Sequence, residues 1–130
     1  MDVRLGPRPR RLALAVALLA IPAIAAALAE AHAQLARSAP PASSTLRSAP
    51  PEIKLWFTER LEPSFSNAHL LDDQRRRIEG VEGRVDGVDG ALLRMPVPTP
   101  LPPGRYVVAY RVVSVDSHVT SGELSFRIVR

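Results

Sequence analysis

Two patterns divide the chain. Leu12 to Ala29 reads LALAVALLAIPAIAAALA, with no charge and only Pro22 as an interruption. Beyond it, apolar residues come in short stretches fenced by Pro, Gly and Asp. Ile53-Lys54-Leu55-Trp56-Phe57 is rich in β-branched and aromatic types and lies between Pro50-Pro51 and Glu59-Arg60, which predicts a strand. Phe65 to Leu71 is a second run, ended by Asp72-Asp73. Arg77-Ile78 and Ala91 to Met95 bracket Gly80, Gly83, Gly87 and Gly90, a stretch that reads as turns and short strands.

Pro96 to Pro103 (PVPTPLPP) lacks the N–H groups of a sheet ladder, so it predicts an extended connection closed by Gly104. Arg105 to Val115 is the longest strand candidate. Glu123 to Val129 alternates, with Leu124, Phe126 and Ile128 on one face and Glu123, Ser125 and Arg127 on the other. After residue 31 no segment shows amphipathic helical periodicity. About six or seven strands, with turn signals roughly every 8–12 residues, predict an all-β antiparallel sandwich. Its large core residues are expected to be Leu55, Phe57, Phe65, Leu70, Tyr106, Tyr110, Phe126 and Ile128. Trp56 alternates with Leu55 and Phe57, so it should face away from that core.

The apolar run follows Arg4, Arg8, Arg10 and Arg11 and precedes Ala29-Glu30-Ala31. A basic head, an apolar middle and a small-x-small triplet make a secretory signal peptide, here residues 1–31, cut between Ala31 and His32. The run is also long enough to raise a retained anchor, but its alanine-rich make-up and good cleavage triplet favour removal and an exported domain over residues 32–130.

The charge balance is read after that cut. The 130-residue chain carries 17 Lys and Arg against 13 Asp and Glu, a net +4. The leader takes four basic and two acidic residues with it, leaving 99 residues with 13 basic and 11 acidic side chains, or +2. Only Arg75-Arg76-Arg77 survives as a basic run, and Asp72, Asp73 and Glu79 flank it, as expected of a solvated hairpin tip. No nucleic-acid partner is therefore expected. The absence of cysteine excludes disulfides, thiolate metal sites and thiol nucleophiles.

The chemistry left rests on three histidines. His32 becomes the first mature residue, offering its α-amine and ring Nδ1 to one metal ion in a six-membered chelate. A free α-amine has a pKa of about 8, so a Lewis-acidic metal displaces its proton near neutrality. Nitrogen-plus-oxygen ligation of this kind suits Cu(II). Asp116-Ser117-His118 follows the longest strand; two residues apart in extended chain, carboxylate and imidazole project to the same side. An Asp-capped turn with an exposed histidine is the bland alternative. His69 alternates with Ala68 and Leu70, so its ring is expected in solvent.

These residues resemble the CopC-type periplasmic copper-binding proteins. The likeness is carried by His32-Ala33-Gln34-Leu35 at the cut, Ser38-Ala39-Pro40 and Ala49-Pro50-Pro51. It continues in Leu55-Trp56-Phe57-Thr58-Glu59, Leu61-Glu62-Pro63 and Pro103-Gly104-Arg105-Tyr106, and is most specific in Arg111-Val112-Val113-Ser114-Val115-Asp116-Ser117-His118 with Ser121-Gly122. The resemblance implies an immunoglobulin-like Greek-key sandwich of about seven strands that binds one Cu(II) in the periplasm through His32, Asp116 and His118. It makes the copper ion the partner, and an inner-membrane copper transporter the protein partner in keeping with that role. Some members hold Cu(I) in a methionine-rich loop. Here Met95 is the only methionine beyond Met1, so that second site is not expected.

Two other functions share these residues. A copper-dependent oxidase of histidine-brace type would also use a terminal histidine, but 99 residues offer no broad substrate platform and Asp116 fills the position that oxygen needs. A metal-free immunoglobulin-like interaction module would not need His32 or His118 at all. Zn(II) suits two histidines and a carboxylate as well.

Overall fold

Alternating burial drives strand formation over most of the domain. In β3 (Glu52–Phe57) Ile53, Leu55 and Phe57 are buried while the residues between them are half-covered. The computed structural model describes residues 32–130 together with Gly6. The leader expected over residues 1–31 lies, apart from Gly6, outside the described residues. Seven further strands are β1 (Leu35–Ala39), β2 (Ser44–Leu46), β4 (Asn67–Leu71), β5 (Arg77–Val85), β6 (Leu92–Pro96), β7 (Gly104–Val113) and β8 (Val119–Ile128). Among the described residues the only helical element is the 3-10 turn Pro63–Phe65.

The hydrogen-bonded order is β1-β3-β6-β5-β4-β7-β8-β2. Strands β4, β5 and β6 follow one another directly, β7 returns beside β4 and β3 lies beside β6, which is Greek-key connectivity. The long strand β5 passes between the two layers. It pairs with β4 through Leu71↔Arg77, His69↔Glu82 and Ala68↔Gly83, then with β6 through Arg84↔Arg94 and Val85↔Leu93. One sheet is thus β1, β3, β6 and the end of β5; the other is the start of β5 with β4, β7, β8 and β2. The two close over one core as an all-β sandwich.

That core centres on Ile53, Leu55, Leu70, Leu93, Met95, Val108, Val112 and Phe126, each exposed by less than 2%. Phe126 stacks on Tyr106 with ring centroids 5.6 Å apart, and the Tyr106 hydroxyl donates to the Pro102 carbonyl at 2.5 Å. The proline-rich connection is thereby tied to the sandwich although it contributes no ladder.

Several expectations shift. Phe65, expected in the core, is 63% exposed. Pro63 opens a 3-10 turn there, the strand begins only at Asn67, and Ser66 takes the buried position instead. Tyr110 is half-buried and meets Phe57 edge-on at 5.3 Å. The glycine-punctuated stretch contains one nine-residue strand rather than several short ones. Strands β1 and β2, not foreseen in the Ala-, Ser- and Pro-rich segment, pair with β3 and β8 and bring the total to eight. Arg75, Arg76 and Arg77 do lie at an exposed hairpin end, paired with Glu123, Asp72 and Glu82.

The glycine that lets β5 cross the layers is Gly83. A Cβ there would stand 2.2 Å from Leu93 Cδ2 and 3.0 Å from both Ala68 Cβ and Met95 Cγ. All three neighbours are fully buried, so none can swing aside into solvent. Gly83→Ala is expected to destabilise the domain by about 1–3 kcal/mol, seen as a lower midpoint in thermal unfolding. An unchanged midpoint would show that this junction is slack.

Candidate metal centre

The ends of two distant segments meet where β7 runs out. From Val113 the chain turns through Ser114 to His118 before β8 begins at Val119. Ser114 is fully buried and closes this turn: its N–H donates to the His118 carbonyl at 2.9 Å, and Ser117 N–H donates to the Ser114 carbonyl at 2.8 Å. Ser117 adopts φ +72°, the left-handed region that compact turns use. The β3–β4 connection braces the turn from outside. Glu62 N–H donates to the Val113 carbonyl at 2.7 Å, Val115 N–H to the Arg60 carbonyl at 3.0 Å, and Leu61 bridges to Ser114.

His32 reaches the same place from the other end of the domain. Ala33 is fully buried in the core, and Gln34 exchanges two hydrogen bonds with Thr58: Gln34 N–H to Thr58 Oγ1 and Thr58 N–H to the Gln34 carbonyl, each 2.9 Å. Leu35 is then in register with Phe57. The exposed His32 therefore stands one residue beyond an anchored segment, and its ring meets that of His118 edge-on with centroids 4.5 Å apart.

Asp116 completes the group. Its Oδ2 lies 3.1 Å from His118 Nδ1, and its Oδ1 accepts the Ser114 hydroxyl. That hydroxyl, with His118 second, holds the Asp116 carboxyl below the usual carboxylate range. A depressed folded-state pKa stabilises the fold above the unfolded value, near pH 4, and the contribution is lost as pH falls through the folded value. In the metal-free protein, the stability gap between wild type and Asp116→Asn is expected to close on acidification below about pH 4. Acid unfolding followed by circular dichroism reads this, and a gap constant down to the lowest pH would contradict it.

His118 Nδ1 is buried without a hydrogen-bond partner even though a carboxylate oxygen stands beside it. An orphaned imidazole nitrogen facing a carboxylate and a second imidazole has the chemistry of a cation site. Two nitrogens and an oxygen form a borderline donor set that suits Cu(II) and also Zn(II). The three side chains meet pairwise around His118. Among the described residues no three His, Asp or Glu side chains yet converge on a single ion position.

The remaining sequence candidates lie elsewhere. His69 sits on β4 in register with Glu82 and Ala109, between two neighbouring strands, and is half-buried with an unpartnered Nδ1 rather than free in solvent. Trp56 faces away from the core as expected and is half-covered, with the Arg37 guanidinium 3.8 Å above its ring. Met95 is fully buried on β6. Sequence reasoning missed Ser114 as a member of the site. Asp116 and His118 do converge, but through a turn with Ser117 at φ +72° and not through the extended chain expected, so strand alternation carried no signal for Ser114.

The match to the CopC domain covers residues 35–129. Copper resistance protein C of Xanthomonas campestris pv. juglandis is 36% identical over 124 residues, 92% of this chain and 96% of that protein. Protein YobA of Escherichia coli K12 is 35% identical over 75% of this chain and 79% of its own. Among solved structures, CopC from Methylosinus trichosporium OB3b superposes with a TM-score of 0.68 at 30% identity, covering 75% of this chain and 93% of that one. PcoC, a methionine-rich copper resistance protein from Escherichia coli, gives 0.62 at 31%, covering 76% and 100%. A domain match across nearly all of the sandwich, with relatives alike in both sequence and fold, establishes that the chain belongs to the CopC family.

Proposed function

We propose that this protein, cut between Ala31 and His32 and released into the periplasm, binds one Cu(II) and acts as a copper carrier or buffer in copper homeostasis or resistance. The observation that carries the reading is the meeting of His32 and His118, residues 86 positions apart in the chain, whose rings pack edge to face beside Asp116. Family membership supports a copper-related role, and copper resistance proteins are among its relatives. The N-terminal leader supports export; the Xanthomonas similarity extends over 92% of the chain and so into part of that segment.

His32, Asp116 and His118 would hold the ion, with the α-amine freed by cleavage as a further nitrogen. Copper supplies the bond energy that ties the amino terminus to the β7–β8 turn, and ligand linkage then stabilises the fold. With Asp116 3.1 Å from His118 Nδ1, its carboxylate would compete for a position that an oxygen-activating centre keeps open, which favours binding over catalysis. An inner-membrane copper transporter is the protein partner that fits this role.

The test is a competitive Cu(II) titration of protein beginning at His32, followed by electron paramagnetic resonance. Tight one-to-one binding with a nitrogen-rich tetragonal spectrum is expected, abolished in His118→Ala. Weak binding of indefinite stoichiometry would overturn the reading in favour of a metal-free interaction module, and preferential retention of Zn(II) in competition would replace copper as the ion.

A further inference from the structure

We propose that Ser114 is a positioning residue for the metal, its one buried oxygen fixing both members of the D-x-H pair before the ion arrives. The proposal rests on the copper reading above and adds to it a residue that does not touch the ion.

The geometry is specific to this side chain. Ser114 is fully buried, yet its hydroxyl lies against two groups of the site. It donates to Asp116 Oδ1, and its oxygen receives the His118 backbone N–H at 3.3 Å. The His118 carbonyl also lies 3.3 Å from that oxygen, but one proton cannot serve two acceptors, and the charged carboxylate makes the stronger bond. With Oδ1 committed to Ser114, Oδ2 is the oxygen left facing His118 Nδ1, 3.1 Å away. The carboxylate is therefore turned by Ser114 to present one free oxygen next to an unpartnered imidazole nitrogen.

Asp116 and His118 otherwise have little to hold them. Both side chains are nearly half exposed, at 46% and 42%. A partly solvated carboxylate not anchored by a neighbour samples several rotamers, and the entropy of fixing it would be charged to each copper ion bound. Ser114 has already met that cost in the fold, because its own position is set by the β7 end and by the Leu61 bridge. Groups that orient metal ligands in this way typically contribute 10–100-fold in affinity.

The experiment is a double-mutant cycle on protein beginning at His32, using Ser114→Ala, Asp116→Ala and the pair, with Cu(II) affinity, the paramagnetic resonance spectrum and the metal-free melting midpoint read for each. Ser114→Ala removes only the hydroxyl and leaves Cβ packing in place. It is expected to weaken Cu(II) binding about 10-fold in the wild-type background and to alter the resonance spectrum. In the Asp116→Ala background it is expected to weaken binding by less than about 2-fold, since the carboxylate it orients is gone and the His118 backbone is still held by the Ser114 N–H at 2.9 Å. Ser114→Thr, which keeps the hydroxyl, is expected to restore both affinity and spectrum. Equal affinity of Ser114→Ala and wild type would overturn the proposal. So would an equal loss in both backgrounds with an unchanged spectrum, which is the signature of a purely structural role. Failure of wild-type protein to bind Cu(II) tightly would instead overturn the copper reading itself.

Discussion

Protein whose leader remains uncut, or whose His32 α-amine is acetylated, is expected to bind Cu(II) on the order of 100-fold more weakly than protein beginning at a free His32, equivalent to about 2.7 kcal/mol. The free terminus offers an amine and an imidazole on one residue. Once that nitrogen is an amide, its lone pair is delocalised into the carbonyl and the chelate ring opens. The fold makes this a local effect: Ala33 is buried and Gln34 is bonded to Thr58, so nothing inside the sandwich changes when the amine is blocked. A competition titration of the two forms against one chelator measures it, with metal-free melting midpoints as a control. Matching affinities would remove the amine from the ligand set while leaving His32 Nδ1, Asp116 and His118 in place.

The second large effect is structural. Phe126→Ala is expected to cost about 3–5 kcal/mol, enough to consume much of the stability of a domain this size. Phe126 is 1% exposed, stacks on Tyr106, and lies on β8 directly opposite Tyr106 on β7 in the sheet register. Both faces of the cavity left behind would be lined by strands already fixed in their ladders, so collapse into the space would be limited. Urea unfolding of metal-free protein reads the loss as a lower midpoint. A cost below about 1 kcal/mol would mean that the Tyr106 ring and its neighbours can repack. On the proposed copper reading, saturating Cu(II) should recover part of the loss, because the ion would bind the native state at the other end of β7.

Short-range chemistry was legible in the residues. Alternation marked β3 and the last half of β8, with Leu124, Phe126 and Ile128 all buried as their spacing implies. The prolines of residues 96–103 marked a segment without a ladder beyond β6, and Asp116 with His118 stood out by spacing alone. Strand ends and the weakly apolar strands were not legible. β1 and β2 each carry a single large apolar residue, Leu35 and Leu46, among Ala, Ser, Arg and Thr, too little for a periodic signal, and owe their order to partners β3 and β8 together with those leucines packing on the core. Phe65 has the right composition for a core residue but loses its place to the Pro63 turn, a phase shift that periodicity counting cannot see.

By itself, then, the sequence determined a cysteine-free β domain, its strongest strands and its three candidate ligands, because each of these is written in residue type and spacing within a few positions. Only the tertiary structure decided that β5 passes from one sheet to the other at Gly83, that Ser114 is buried against Asp116, and that His32 reaches His118. The β5 crossing and the meeting of His32 with His118 join segments far apart in the chain and are set by how the sheets close on one another, whereas the Ser114–Asp116 bond is local but depends on a turn braced by the distant Arg60, Leu61 and Glu62.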